Sequence, residues 1–236
     1  MQTRRNREFS LYYLWGWEIM VTFAVQRNEI DTMRYDEIIA DGERLMMPVA
    51  ENYRDCVELI KSDAYRHHGK RLSLLKIWLM SWTRTSVSFS FWWRLAQHKG
   101  WLYPLCKWRV KSFKSRYGLL IPTHVRIGWG FYLQHCCGLV IHREAIIGNN
   151  VHMGQFTTVG SSNLLKASVI CNNVYLGPNV CVVDEIVLHS HSTVGAGAVV
   201  TRNVASHTTV AGVPAKVIQE HDHPELLRFP WPVEEQ

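Results

Sequence analysis

The sequence predicts a mainly β protein, a parallel solenoid preceded by a helical segment. Three observations carry that prediction. An aliphatic residue recurs every six positions at Ile121, Ile127, Leu133 and Leu139; it resumes after a two-residue insertion at Ile141, Ile147, Met153 and Val159. The beat restarts at Ile170 and runs through Leu176, Val182, Leu188, Val194 and Val200. Glycine often follows it, as at Gly128, Gly148, Gly154, Gly160, Gly177 and Gly195. A second apolar residue stands four positions on, at Val125, Val151, Val174, Val180, Ile186 and Val204.

A period of six matches neither the helical nor the alternating-strand repeat. It matches a coil of three short flat faces, one hexapeptide per face. The aliphatic residue points into a narrow prism and stacks on its equivalents, and glycine turns the tight corners. Coils stack at the strand spacing of about 4.8 Å, so some five coils make a column roughly 24 Å tall. A β-sandwich with glycine-rich turns is the alternative, and the phase holds too long for it.

The elements before the column follow in order. Residues 1 to 32 form a separate extension in which Arg4, Arg5 and Arg7 precede an apolar run from Phe9 to Val25. Glu18 interrupts that run, and it is shorter than the roughly 20 residues of a spanning helix. Met33 is a candidate start, and the sequence leaves the place of the extension open. Residues 33 to 118 read as a helical, basic, tryptophan-rich segment. Met33 to Lys61 is expected to be helical, residues 71 to 98 to form one or two apolar helices interrupted at Thr83–Ser90, and Trp101–Tyr117 to be a basic helix ended by Gly118. The column is expected over residues 119 to 217, with Ser161–Ser168 ejected as a loop, and residues 218 to 236 form a tail.

Charge is unevenly spread along the chain, whose net charge is +6. From Ala64 to Arg143 there is no Asp or Glu, but fourteen Lys or Arg. Trp78, Trp82, Trp92, Trp93, Trp101 and Trp108 are interleaved with them. Basic residues with aromatic anchors suit an anionic membrane surface. They also suit a nucleic-acid groove, but no nucleic-acid motif accompanies them, so no nucleic-acid partner is expected. The plain alternative is that the tryptophans are helical core and the charges a solvated face. Six cysteines without disulfide-framework spacing fit a reducing cytosol. No metal is expected despite twelve histidines; His189-Ser190-His191 is the one spacing that invites one.

The motifs Ile127-Gly128-Trp129-Gly130, Gln134-His135-Cys136-Cys137-Gly138, Ala145–Val151, Gln155–Gly160 and His207–Lys216 carry a resemblance. Over Ile121 to Val217 the chain resembles the hexapeptide-repeat acyltransferases, in the serine O-acetyltransferase branch, and most of all its surface-polysaccharide (colanic-acid-type) O-acetyltransferases. The resemblance implies a left-handed parallel β-helix, a hand opposite to the usual crossover, and a homotrimer with active sites between columns. It implies acetyl-CoA as co-substrate.

Acetyl transfer to a hydroxyl needs a general base, because an alcohol is a poor nucleophile at neutral pH. Imidazole suits that task. The resemblance places the catalytic histidine at His135. It places the donor along small residues that allow close approach, namely Gly160, Gly177, Ala196, Gly197, Gly212 and Ala215, with the Ala196 N–H at the thioester carbonyl and Lys216 at the nucleotide phosphates. Gln134 and Lys166 occupy the acceptor-binding positions.

The departures from the serine enzymes are informative. Their aspartate one coil before the histidine is Leu120 here, and the aspartate just before it is Gln134. The loop that holds the amino-acid end of serine is short, with Lys166-Ala167 in place of an Arg-His pair. Glu144, His124 and backbone carbonyls are left as candidates to orient His135. The expectation is therefore a cytoplasmic O-acetyltransferase at the inner face of the membrane, acting on a sugar hydroxyl of a glycan or lipid-linked glycan. Serine O-acetyltransferase of cysteine biosynthesis is the alternative. N-acetylation of an amino sugar and a non-catalytic solenoid scaffold complete the set.

Overall fold

The computed structural model describes residues 33 to 82 and 85 to 233. The extension of residues 1 to 32, with its apolar run, lies outside the described residues.

The six-residue beat becomes three flat parallel faces. The first face stacks Arg126–Ile127, Ile146–Ile147, Val169–Ile170 and Val187–Leu188. The second stacks Tyr132–Leu133, His152–Met153, Tyr175–Leu176, Thr193–Val194 and Thr209–Ala211. The third stacks Val140–Ile141, Thr158–Gly160, Cys181–Val183 and Val199–Val200. The beat residues pair rung upon rung, as in Leu133–Met153–Leu176–Val194–Val210, and all are buried. Burying each stabilises by about 1.5–3 kcal/mol, so the stacks hold strands that are mostly two residues long. Only the second face reaches the fifth parallel strand that the spacing predicts; the others hold four. The strand Lys216–Gln219 then runs back antiparallel along Thr209–Ala211. Ser161–Ala167 leaves the column, with Leu164 and Leu165 exposed, whereas Ser168, expected in the loop, is already back in the wall, buried and accepting from the Ile146 N–H.

The segment before the column departs from its expected helix. Arg34–Ala40 (β1) and Glu43–Val49 (β2) form an antiparallel hairpin instead. Asp41 and Gly42 turn it with positive φ of 48° and 84°, the geometry for which Asp-Gly is suited. Leu45 and Met47 of β2 pack with Cys171 against the first face.

Helix α1 (Tyr53–His68) opens on a capping box, in which Asn52 accepts from the Asp55 N–H at 3.0 Å and Asp55 accepts from the Asn52 N–H at 3.3 Å. Gly69 ends it in the left-handed region. Helix α2 is Leu74–Met80 and α3 is Thr85–Leu95. The serine-rich stretch expected to interrupt the helices is therefore largely inside α3, where Ser88 and Ser90 are buried and Ser90 donates to Asp63. Helix α4 (Tyr103–Tyr117) stops at Gly118 as expected.

The tryptophans divide. Trp78, Trp92 and Trp93 are core, whereas Trp82, Trp101 and Trp108 are exposed. Among the described residues, no helix is long and apolar enough to cross a membrane.

A buried polar clamp joins the helices to the first coil. Arg94 of α3 pairs with Asp63 of α1 at 2.9 Å and donates to the Ile127 and Gly128 carbonyls at 2.8 and 2.7 Å. Asp63 also accepts from the Phe131 N–H at 2.8 Å, and Ser62 from the Gly130 N–H at 3.0 Å. Every charge in this clamp has a partner, as burial demands. The tail folds back over the same corner: Trp231 stacks on Trp129 and exchanges hydrogen bonds with Asn150, and the Arg228 carbonyl accepts from Arg66 at 2.7 Å.

Candidate active site

The corner between the second and third faces carries the site. Its backbone ladder runs Gln134 N to Met153 O, Gly154 N to Leu176 O, Gly177 N to Val194 O and Gly195 N to Val210 O. Gln134 therefore stands at the position that is glycine on the three rungs above it. On the far side of the turn, Phe156 N donates to Cys137 O, Asn179 N to Gln155 O and Gly197 N to Pro178 O. So Cys137 is the equivalent of Gln155, Pro178 and Ala196. Between Gln134 and Cys137 stand His135 and Cys136; between Gly154 and Gln155 stands nothing. The two-residue insertion in the hexad is thus His135-Cys136 itself.

Such an insertion cannot remain in the wall, so it bulges outward. Cys137 N turns back onto the His135 carbonyl at 2.8 Å. Gly138 restores the column with φ of 66°, beneath the ring of Phe156, where a Cβ would lie only 2.2 Å from a ring carbon. Its N–H donates to the Tyr117 carbonyl at 2.7 Å, so the end of α4 braces the bulge. The His135 side chain is left exposed, whereas Cys136 is buried and burial pushes its thiol well up.

His135 opens on a cleft of about 630 Å³. Gln134, Cys136 and Tyr132 line its column side. His67 and His68 come from the end of α1, Ser86 and Val87 from α3, Tyr117 from α4 and Arg228 from the tail. Sequence reasoning did not find these last contributors, because only the packing of helices and tail onto the first coil brings them there. Gln134 is within 3.4 Å of His152 Nε2. His152 lies between the rings of Tyr132 and Tyr175, each 4.6 Å away. Burial, with the nearby Arg66 charge, pushes its pKa down to about 3, so it is neutral near pH 7 and Nε2–H can donate to the Gln134 amide oxygen.

The remaining expected site residues fall in three places. Gly177, Ala196, Gly197 and Gly212 line the same corner as His135 on successive rungs. Gly177 permits the rungs to close up, since a Cβ there would sit 2.8 Å from the Ala196 nitrogen. Ala196 is three rungs above Cys137, about 14 Å at the usual spacing. Its N–H is therefore far from a thioester carbonyl held at His135 of the same chain, and the expected contact calls for a second copy. Ala215 and Lys216 lie at the top of the column, where Ala215 N donates to the Val199 carbonyl at 2.8 Å.

Gly160 and Lys166 are elsewhere. Gly160 ends the strand Thr158–Gly160 of the third face, five residues beyond Gln155 and past the turn at Phe156. Lys166 is exposed on the ejected loop and pairs with Glu185 at 3.6 Å. One chain does not bring either of them to Gln134 and His135. Glu144, bonded to Arg143, and His124 do not line the cleft. Among the described residues, two groups have metal-ligand types within reach of one another, Glu43–Cys171–His189 and His191–His207–Asp222. Both lie away from this corner, and the first ties the hairpin to the column through His189 and Ser190.

Comparison with known proteins adds a second line. Over 115 residues the chain is 34% identical to the serine acetyltransferase of Synechococcus elongatus, covering 47% of each chain. It is 33% identical over 105 residues to that of Escherichia coli K12, covering 43% of this chain and 38% of that protein. The solenoid is similar to that of serine acetyltransferases. The structure of the Vibrio cholerae enzyme matches with a TM-score of 0.60 at 24% identity, over 72% of this chain and 69% of that one. A serine acetyltransferase in complex with CoA matches with a TM-score of 0.55 at 21% identity, over 69% of each. These structural likenesses establish the fold. The chain spans about half or less of the length of the sequence relatives named here. No family model matches.

Proposed function

We propose that the protein is an acetyl-CoA-dependent O-acetyltransferase with His135 as general base. The observation that carries this reading is the bulge: a two-residue break in the hexad lifts a histidine out of the wall and into a cleft. His135 takes the proton of the acceptor hydroxyl as its oxygen attacks the thioester carbonyl. The tetrahedral oxyanion collapses, the C–S bond breaks, and the departing thiolate takes the proton back. The Gly154 N–H is committed to the Leu176 carbonyl, so the Gln155 backbone, one rung above His135, is the candidate donor for the oxyanion. The pantetheine arm then follows the bare corner past Gly177, Ala196, Gly197 and Gly212, and Ala215 and Lys216 meet the nucleotide end.

A homotrimer supplies what one chain lacks. If the third-face edge of one copy lay beside the His135 corner of the next, Gly160 and Lys166 would reach the site across the interface. Exposed Trp82, Trp101 and Trp108 beside basic residues support a peripheral position at the inner face of a membrane, in the cytoplasm.

For the acceptor, the relatives favour L-serine: they are named serine acetyltransferase, and the soybean enzyme is solved with serine bound. A sugar hydroxyl is the second reading, and a specific observation favours it. Among the described residues, no carboxylate lines the cleft to receive the serine ammonium group. Thiol release from acetyl-CoA, measured with L-serine and with sugar acceptors in wild type and His135→Ala, tests both. Acceptor-dependent release that disappears in the variant is expected. Release that is unaffected by the substitution removes His135 from the chemistry, and no release with any acceptor favours a scaffold.

A further inference from the structure

We infer that the acceptor carries a net negative charge, from a phosphate or carboxylate group close to the hydroxyl that is acetylated and with no ammonium group to offset it. This rests on the acetyl-transfer reading of His135.

The acid-free stretch from Ala64 to Arg143 has no account in the fold alone. It supplies every residue lining the cleft except Arg228, which is itself a cation. Among the described residues, the chain passes the cleft as α1, α3, α4 and the first coil, and on each of these passes it presents no carboxylate. Asp63, the acid that immediately precedes the stretch, does not offset this. Its oxygens are taken by Arg94, Ser90 and the Phe131 N–H inside the clamp.

What the cleft offers is the complement of an anion. Arg228 is exposed on its rim, its guanidinium over the ring of Phe229. Tyr117 and Tyr132 bring hydroxyls, and His67 and His68 bring ring nitrogens. Behind the wall, Arg66 is buried with its guanidinium 5.6 Å from the Tyr132 ring centroid. Arg66, His67 and Arg228 also stand near His152, where their charges add to burial in holding it neutral. A cationic acceptor would enter that field with no carboxylate to meet it. An anionic one would gain charge-assisted hydrogen bonds, and Arg suits both carboxylate and phosphate.

The test is calorimetric binding to the full chain saturated with CoA. Glucose 1-phosphate, glucuronate, glucose, glucosamine and L-serine serve as matched probes. At least one anion should bind about tenfold or more tightly than glucose and glucosamine, in line with a hydrogen bond to a charged group. The phosphate and carboxylate arms tell the two sources apart. Arg228→Gln should weaken that anion about tenfold, Arg228→Lys should restore part of the loss, and CoA affinity should not move. Unchanged near-ultraviolet dichroism from Trp129 and Trp231 would show that the tail still docks. Tighter binding of glucosamine or L-serine, or no saturable binding of either anion, overturns the inference. So does a loss confined to CoA, which would assign the cation to the donor. Anion binding without any thiol release from acetyl-CoA would instead overturn the acetyl-transfer reading and leave the anion site standing.

Discussion

Two corners of the same column are built in opposite ways. Between the first and second faces, side chains stitch the rungs: Asn149 accepts from the Trp129 N–H at 2.8 Å, Asn172 from Asn149 at 2.7 Å and Ser190 from Asn172 at 2.9 Å. Hairpin and tail then cover that corner through Glu43 and Trp231. Between the second and third faces, Gly154, Gly177 and Gly195 strip the wall to backbone, and the bottom rung opens into the His135 bulge. Both corners turn the chain through the same angle in the same solenoid. The stitched one spends its polar side chains on the fold, and the bare one leaves backbone and one histidine to a ligand.

The largest expected effect lies at the bare corner. His135→Ala should lower acetyl transfer by about 10²–10⁴-fold, the usual worth of a general base, with the thermal midpoint unchanged. Near-normal turnover would separate the bulge from the chemistry. Next comes the clamp under the bulge. Asp63→Ala strands the buried Arg94 charge and should cost about 3–5 kcal/mol in denaturant unfolding. A loss below about 1 kcal/mol would mean that the first coil stands without its helices.

The corners themselves can be set against each other. Gly154→Ala places a Cβ 2.5 Å from the Pro178 backbone nitrogen. Overpacking of that kind should cost about 1–3 kcal/mol and weaken acetyl-CoA binding. Asn172→Ala removes one rung of stitching and should cost about 1–3 kcal/mol for the amide left unpaired, without touching acetyl-CoA affinity. Equal effects on affinity from the two variants would erase the distinction between the corners.

Protonation gives a further handle. The pKa of His152 falls from 6.5 to about 3 on folding. Between those values the unfolded chain binds the proton and the folded chain does not, so stability must fall as pH drops through that window. His152→Gln should flatten the acid side of the stability curve, as read by denaturant midpoints from pH 7 to 4. An unchanged slope would place the acid sensitivity elsewhere. The smallest effect is expected from Lys166→Ala, whose exposed ion pair is worth about 0–1 kcal/mol. A large loss of turnover in that variant would be direct support for a site completed by a second copy.

The column was legible because its signal is local. Each aliphatic stack repeats at a fixed spacing, and Ile127, Leu133 and Ile141 announce their faces without knowledge of their neighbours. The site was legible in part. His135 was visible in its motif, and the break in the hexad was visible as an offset between Leu133 and Ile141. That the break consists of His135 and Cys136 required the hydrogen-bond register. The cleft was not legible, since His67, Tyr117 and Arg228 are separated in sequence and meet only through the Asp63–Arg94 clamp and the returning tail. One misreading has a local cause. The hairpin was taken for helix because its charges obscure the alternation, although Asp41-Gly42 marks its turn. The role of Ala196 was not legible either way, because its distance from His135 within one chain leaves the contact to a neighbouring copy.

The most direct test of the central claim is to excise His135 and Cys136 together and measure both thermal unfolding and acetyl-CoA turnover. The account predicts an unbroken hexad, with Gln134 joined to Cys137 as Gly154 is to Gln155, a thermal midpoint at or above that of the parent, and no acceptor-dependent thiol release. A shortened chain that still transfers acetyl groups, or one that no longer folds, would contradict the claim that this bulge is a functional insertion in an otherwise continuous wall.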